Sequence, residues 1–272
     1  MNIHVLTYNI HHWQGTDGRT DVARVTEVIR ETKADLVALN EVYHPASLPD
    51  LSAPPLEAMA QALGMEFTFG PALPQASLAG KPAPYGNALL SRYPILAYAT
   101  HRLTTPAGHE PRSLLEARVL LPTGKALTLY ITHLDHRAEG ARWEQAGDLL
   151  LWTGRDRGRL HLLLGDFNAL SPDAYQGEGW GRAVGEALAE PGRWAEEPRV
   201  IPRLMRAGYV DAFAAVGQGA GETYSTVKPL VRIDYCFISG AGREAVRSCQ
   251  RWDAGVACLA SDHFPVLTML DL

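Results

Sequence analysis

The chain has little cysteine, little lysine and no long apolar run. Its 272 residues include three cysteines, Cys236, Cys249 and Cys258, an odd number with no Cys-x-x-Cys spacing. That excludes a disulfide framework and a cysteine-rich zinc site. Cys236, inside an apolar run, reads as a small core residue. No apolar segment approaches the roughly 20 residues that span a bilayer. The amino-terminal residues lack the charged and apolar regions of a signal peptide, so the expected compartment is the cytoplasm. Only four lysines occur (Lys33, Lys81, Lys125, Lys228), and arginine supplies the remaining positive charge, a bias that reads as the codon usage of a GC-rich bacterial genome. The formal charge of -5 argues against strong sequence-independent binding to nucleic acid, which relies on clustered Lys and Arg, but leaves room for a local basic cleft. No repeat, low-complexity tract or Pro/Gly-rich linker divides the sequence, so one domain over residues 1–272 is expected, long enough to bury a substantial core.

What the sequence does contain is an α/β pattern. Ile3 to Asn9 reads as a strand, Asp21 caps a helix with Val22, Val25 and Ile29 on one face, and Ala34 to Asn40 reads as a second buried strand. From Tyr43 to Pro84 the composition is rich in Pro, Ala and Ser, with one helix expected near Leu56–Leu63 and the rest an excursion over a site. Strands follow at Asn87–Leu90, Ile95–Leu103, Ser113–Leu121 and Ala126–His133, the last two joined by the hairpin turn Pro122-Thr123-Gly124-Lys125. A helix over Ala138–Thr153, a strand at Leu160–Leu164 closed by Gly165, and an irregular region over Ser171–Pro202 come next. Strands near Val231–Ile238, Ala245–Trp252 and Val266–Leu270 complete the pattern.

The chemistry gathers at strand ends. Gly165-Asp166-Phe167-Asn168 presents a carboxylate and an amide two residues apart, which suits either a closing turn or a site that holds water or an oxyanion. Asn9 closes the first strand, Glu41 the second, and Asn87 opens another in Tyr85-Gly86-Asn87-Ala88. His133 ends a strand in Thr132-His133-Leu134-Asp135-His136. Asp234 interrupts an apolar run in Arg232-Ile233-Asp234-Tyr235, and Ser261-Asp262-His263-Phe264-Pro265 precedes the last strand. Each residue alone has a plain structural reading; six such breaks near strand termini point to one site at one edge of packed sheets.

These blocks, with Thr7–Ile10, Leu39–Val42 and Tyr85–Pro94, span nearly the whole chain in order. They resemble the endonuclease/exonuclease/phosphatase superfamily, the DNase I-like fold. The resemblance implies a four-layer α/β sandwich with two mixed sheets face to face and helices outside. It also implies Mg²⁺ (Mn²⁺ as a substitute) held by the metal-site residues Asn9 and Glu41, with Asp262 nearby or bound through water. Asp166 resembles the group that orients or deprotonates the attacking water, and Asn168 steadies the phosphoryl oxygens. His263, paired with Asp234, resembles the cationic or proton-donating group. His133 would donate to a phosphate oxygen, and Asn87 would help position it. The implied reaction is in-line attack of water on a phosphoester.

His11 stands where some DNA-repair members carry an acidic residue, and the Thr-His-Leu-Asp context of His133 resembles the phosphatase, sphingomyelinase and DNase I-like branches. The expected substrate is therefore a small or lipid-derived phosphoester, with DNA or RNA as the alternative. For Arg112 a phosphate contact and a structural ion pair both stand. Tyr85, Trp180 and Trp194 are open to packing or to stacking on substrate. Arg142 and Gln145 are expected to brace the loop after His133, and His101 and His109 to lie on the surface. Two further readings compete: a catalytically dead binding module, which should lack one of Glu41, Asp166, Asp234 or His263, and a zinc hydrolase using His11, His12, His133 and His136. Oligomeric state is not encoded in any of these features.

Overall fold

The computed structural model describes residues 1–49, 51–78, 80–175, 193–194 and 196–272. Strand periodicity sets the layers. In the strand Asn2–Asn9, Ile3 and Val5 face a core shared by two sheets, whereas Leu6 and Tyr8 face a core beneath helices. The same alternation repeats in Leu36–Tyr43, Tyr85–Ser91 and His161–Asp166.

The first sheet has seven strands, in the order 217–218, 246–251, 266–271, 2–9, 36–43, 85–91, 66–73. The second has six, in the order 209–211, 234–239, 161–166, 126–133, 113–120, 95–102. Each mixes parallel with antiparallel pairs: 2–9 runs parallel to 36–43, and 161–166 parallel to 126–133. Ile3, Val5, Leu36 and Leu89 of the first sheet meet Leu129, Ile131, Leu162 and Leu164 of the second, all fully buried or nearly so. Helices Val22–Thr32 and Pro55–Leu63 cover the first sheet, and Glu139–Thr153 and Val200–Arg206 cover the second. Helix, sheet, sheet, helix: the four-layer sandwich expected from the sequence is the observed architecture.

Local chemistry explains the element ends. Asp21 caps the first helix by accepting the Arg24 N–H at 2.9 Å, and Lys33 ends it in the left-handed region. Gly124, at φ +78°, makes the expected hairpin turn between 113–120 and 126–133.

Three differences from the sequence reading have physical causes. The segment Tyr43–Pro84 contains, besides the expected helix, an edge strand Glu66–Leu73 paired with Tyr85–Ser91. Gly70 and Pro71 hide it in the sequence, and an edge position tolerates both. Asp234 does not interrupt a strand; it begins one, Asp234–Ser239. Nor does Gly165 close a strand, because 161–166 runs through it to Asp166. Gly165 sits at φ +134°, where an added Cβ would lie 1.9 Å from the Thr132 carbonyl oxygen. Much of the region expected to be irregular, with Trp180, lies outside the described residues. Among those described, no helix is long and apolar enough to cross a membrane.

Gly165→Ala should therefore destabilise the fold by about 3 kcal/mol, from strain at a disallowed φ and a clash with backbone. A urea melt checks this: an unchanged midpoint would show that the neighbouring strand gives way at little cost.

Candidate active site

The inward-facing rows of the central strands are apolar along their length and polar at one end. Register does the assembling. Asn9 lies beside Asn40 in the first sheet, and in the second Asp166 lies between His133 on one neighbour and Asp234 on the other. The two rows then bond across the gap. Asn9 Nδ2 donates to Asp166 Oδ2 at 3.1 Å, and the Asp166 backbone N–H donates to Asn40 Oδ1 at 2.9 Å. Asn40 also donates to Asn87 Oδ1 and to the Thr132 carbonyl, at 2.8 and 2.9 Å. Asn87 spends its own N–H groups on the carbonyls of Ser113 and Ile131. It stands behind the site, in the inter-sheet contact.

Glu41 reaches the site through a break in the ladder. Pairing with 85–91 shifts register between Leu39 and Val42, and Glu41 takes φ +61°. Its Oε1 accepts from Asn9 Nδ2 at 3.0 Å, and its Oε2 lies 3.4 Å from His12 Nδ1. Burial pushes this carboxyl up, but the hydrogen bond from His12 and the fields of His133 and His263 hold it well below the usual range.

Asp166, Asp234 and His263 form a second, nearly fully buried charged group. Their ligand atoms lie within 4.8 Å of one another, a group consistent with a metal site. His263 Nδ1 lies 2.9 Å from Asp234 Oδ2, and Nε2 lies 3.7 Å from Asp166 Oδ2. Burial works against the imidazolium, yet Asp234, Asp166 and Asp262 together raise His263 to about 10. Asp166 is also raised, by burial and then by the Asp234 charge, with His263 and Arg193 pulling it partly back. Because the folded-state value of His263 is raised, its stabilisation is fully present below its ordinary 6.5 and lost as pH climbs toward about 10.

His133 is the opposite case. Burial and then the Arg112 guanidinium hold it well below its usual value. Arg112 can only donate, so at 3.1 Å it fixes His133 Nδ1 as acceptor and leaves the proton on Nε2, 3.5 Å from Asp166 Oδ2. A second Arg112 nitrogen donates to His136 Nδ1 at 3.0 Å, and Glu110 pairs with the same guanidinium at 2.9 Å. Arg142 and Gln145 do brace this loop, through the Asp135 carbonyl at 3.0 Å and the Asp135 N–H at 2.8 Å.

These groups open into a cavity of about 350 Å³ lined by Glu41, Arg112, His133, Asp166, Asp262 and His263, and walled by Tyr43, Leu73 and Tyr85. Asn168 is fully buried and off the cavity; its backbone N–H donates to Asp166 Oδ1 and its Oδ1 accepts from Arg193, which does line the cavity. Trp194 is buried, donating to the Asn168 carbonyl, so it packs beneath the site. His101 and His109 are not free surface residues: they pair with Glu116 and Asp135 at 2.8 and 2.9 Å. The four histidines considered as zinc ligands separate into two pairs. His133 and His136 bind Arg112, while His11 and His12 stand with Glu41. Sequence reasoning missed Asn40, whose inward-facing amide amid apolar neighbours was the available signal, and Arg193, which carried none.

The sequence pattern of the Endonuclease/Exonuclease/phosphatase family matches residues 6–263. The chain belongs to this family. The uncharacterized protein YbhP of Escherichia coli (strain K12) is 27% identical over 252 residues, covering 89% of this chain and 86% of YbhP. An endonuclease/exonuclease/phosphatase from Beutenbergia cavernae shares the fold with a TM-score of 0.75 at 23% identity, covering 100% of this chain and 72% of that one. The 3' phosphatase NExo from Neisseria, bound to a product DNA hairpin, matches with a TM-score of 0.65 at 18% identity, covering 99% and 100%. At these identities the structural likeness establishes the fold alone.

The His263 imidazole should remain protonated at pH 8 in ¹⁵N-resolved NMR spectra, and Asp234→Asn should bring its titration down toward 6.5. An imidazole already neutral at pH 8 in the unmodified chain would contradict the assigned pairing.

Proposed function

We propose that the protein is a metal-dependent hydrolase of small or lipid-derived phosphoesters, a phosphodiesterase or phosphatase that works by attack of water. The observation that carries this reading is the join between two arrangements. A buried Asp166–His263–Asp234 cluster opens into a small cavity whose lining also includes Arg112 and His133, beside Asp166. The cluster suits a water and its proton; Arg112 and His133 suit phosphoryl oxygens.

Asp166 orients the water and accepts its proton as oxygen attacks phosphorus and the ester bond breaks. Its raised proton affinity suits a base that must stay ionised near neutrality. His263, kept cationic by Asp234, offsets charge on the phosphoryl group, and His133 Nε2–H and Arg112 donate to its oxygens. Asn168 acts through Arg193, which it holds at the cavity, and Asn87 acts through Asn40, which fixes the Asp166 backbone. Tyr85, with its ring 5.0 Å from that of Tyr43, forms a wall for the rest of the substrate.

The carboxylates of Glu41 and Asp262 both face the cavity, the oxygen donors a hydrated Mg²⁺ or Mn²⁺ takes, with Asn9 adjoining Glu41. When bound there, the ion supplies positive charge to the phosphoryl oxygens. Asn9 Oδ1 already accepts the His11 N–H at 3.0 Å, so Glu41 and Asp262 are the stronger donors. A cavity of about 350 Å³ with Tyr43, Leu73 and Tyr85 on its wall suits a small substrate better than a nucleic-acid duplex, as does the net charge of -5.

Asp166→Asn and His263→Gln should each lower kcat on an activated phosphodiester by ~10³-fold with the circular-dichroism spectrum unchanged. Turnover equal to wild type in either variant would refute the assigned roles. Across phosphomonoesters, phosphodiesters, phospholipids and DNA, a small ester should be turned over at least ~10²-fold faster than DNA, the activity should vanish in EDTA, and Mg²⁺ or Mn²⁺ should restore it. Preference for DNA would select the nuclease alternative.

A further inference from the structure

His11 and His12 take no part in the hydrolytic scheme, yet both are organised with care. They occupy consecutive left-handed conformations, at φ +43° and +44°, and their rings stand 4.4 Å apart. One residue orients both. The Gln14 carbonyl can only accept, so His11 Nδ1, at 3.1 Å, is the protonated nitrogen and Nε2 keeps its lone pair. The Gln14 side chain donates its Nε2–H to the Gly18 carbonyl at 3.4 Å, which turns Oε1 toward His12 Nε2 at 3.3 Å. His12 Nε2 is thereby held on Gln14, and Nδ1 faces Glu41 Oε2 at 3.4 Å. The proton that His12 Nδ1 shares with Glu41 Oε2 occupies the place between nitrogen and carboxylate that a cation would take.

The donors fit one class of ion. His11, His12 and Glu41 offer ligand atoms within 4.8 Å of one another, and all three side chains line the cavity. Two imidazoles and one carboxylate, with a fourth position open to the cavity, match Zn²⁺ and its relatives better than Mg²⁺, which prefers an all-oxygen shell. The outward N–H of each imidazole held by an acceptor is the outer-shell support that metal-binding histidines use. Glu41 has an oxygen for each of two neighbours: Oε1 faces Asn9 and Oε2 faces His12.

We propose that His11, His12 and Glu41 form a binding site for a zinc-class divalent ion, separate in donor chemistry from the oxygen-ligated ion of the proposed function and sharing Glu41 with it. The site lies on the cavity wall, so its ion faces the same bound phosphoester.

Cobalt(II) provides the test, because its visible absorption reports nitrogen ligation. The full chain, stripped with EDTA, is titrated with Co²⁺ in a large excess of Mg²⁺. The expected result is one equivalent bound with a visible ligand-field band. His11→Asn and His12→Asn suit the left-handed backbone and should weaken Co²⁺ binding by at least ~10-fold; Gln14→Leu keeps all three ligands and should weaken it by ~10–100-fold. The proposal is overturned if Mg²⁺ suppresses the band, or if Gln14→Leu and whichever His variants keep the wild-type thermal melt bind Co²⁺ as tightly as wild type. Hydrolysis of a phosphodiester without Co²⁺ binding would sink this site alone. Co²⁺ binding without hydrolysis of any phosphoester would sink the proposed function alone.

Discussion

Two carboxylates that would repel each other are held side by side by one imidazolium, and the site depends on that arrangement. Asp166 and Asp234 are register partners on adjacent antiparallel strands, so their Cα atoms are roughly 4.5–5.5 Å apart. Both are almost wholly buried. Without a cation between them, one would have to be protonated. His263 supplies that cation from the segment leading into strand 266–271 of the other sheet, and Ser261 secures it: the His263 N–H donates to Ser261 Oγ, whose hydroxyl donates to the Asn9 carbonyl at 2.8 Å. Removing one partner of a buried pair of this kind costs about 3–5 kcal/mol, so the chemistry and the closure of the two sheets rest on the same charges.

The rest of the site follows from strand geometry. A period of two carries Ile3 and Val5 into the inter-sheet core and then brings Asn9 to its rim; Leu162 and Leu164 do the same for Asp166. The polar rim is thus the end of the core itself, and Asn40 bonds the two sheets together there. On either side of Asp166 Oδ2, burial and Arg112 keep His133 neutral while Asp234 keeps His263 charged. Two histidines a few residues' width apart consequently present a neutral donor and a cation. That contrast is set by neighbours, since the side chains are identical.

Much of this was legible in the sequence where a residue's role is local to its strand. The strand Ala126–His133, the helix capped by Asp21 and the clustering of Glu41, His133, Asp166, Asp234 and His263 all follow from alternation and strand-end polarity. What escaped was set by tertiary contact. The edge strand Glu66–Leu73 has Gly70 and Pro71 in place of a clean alternation. Gly165 looks like a strand end, yet it is glycine because the Thr132 carbonyl presses against it. The sequence places Asn87 and Asn168 at strand ends that suit a phosphate contact, whereas their amide oxygens accept from Asn40 and Arg193. Nothing in the order of residues says that Arg193 reaches the cavity, or that His11 and His12 take left-handed backbone beside Glu41.

The central claim is that a raised Asp166 and a cationic His263 share one proton-handling site. The pH–rate profile of kcat/KM on a small phosphodiester tests it most directly. The account predicts a bell whose acidic limb lies above the ordinary aspartate range, because Asp166 must be ionised, and whose alkaline limb falls toward pH 10 as His263 loses its proton. A rate that stays flat through both limbs, or a bell left in place by Asp234→Asn, would contradict it.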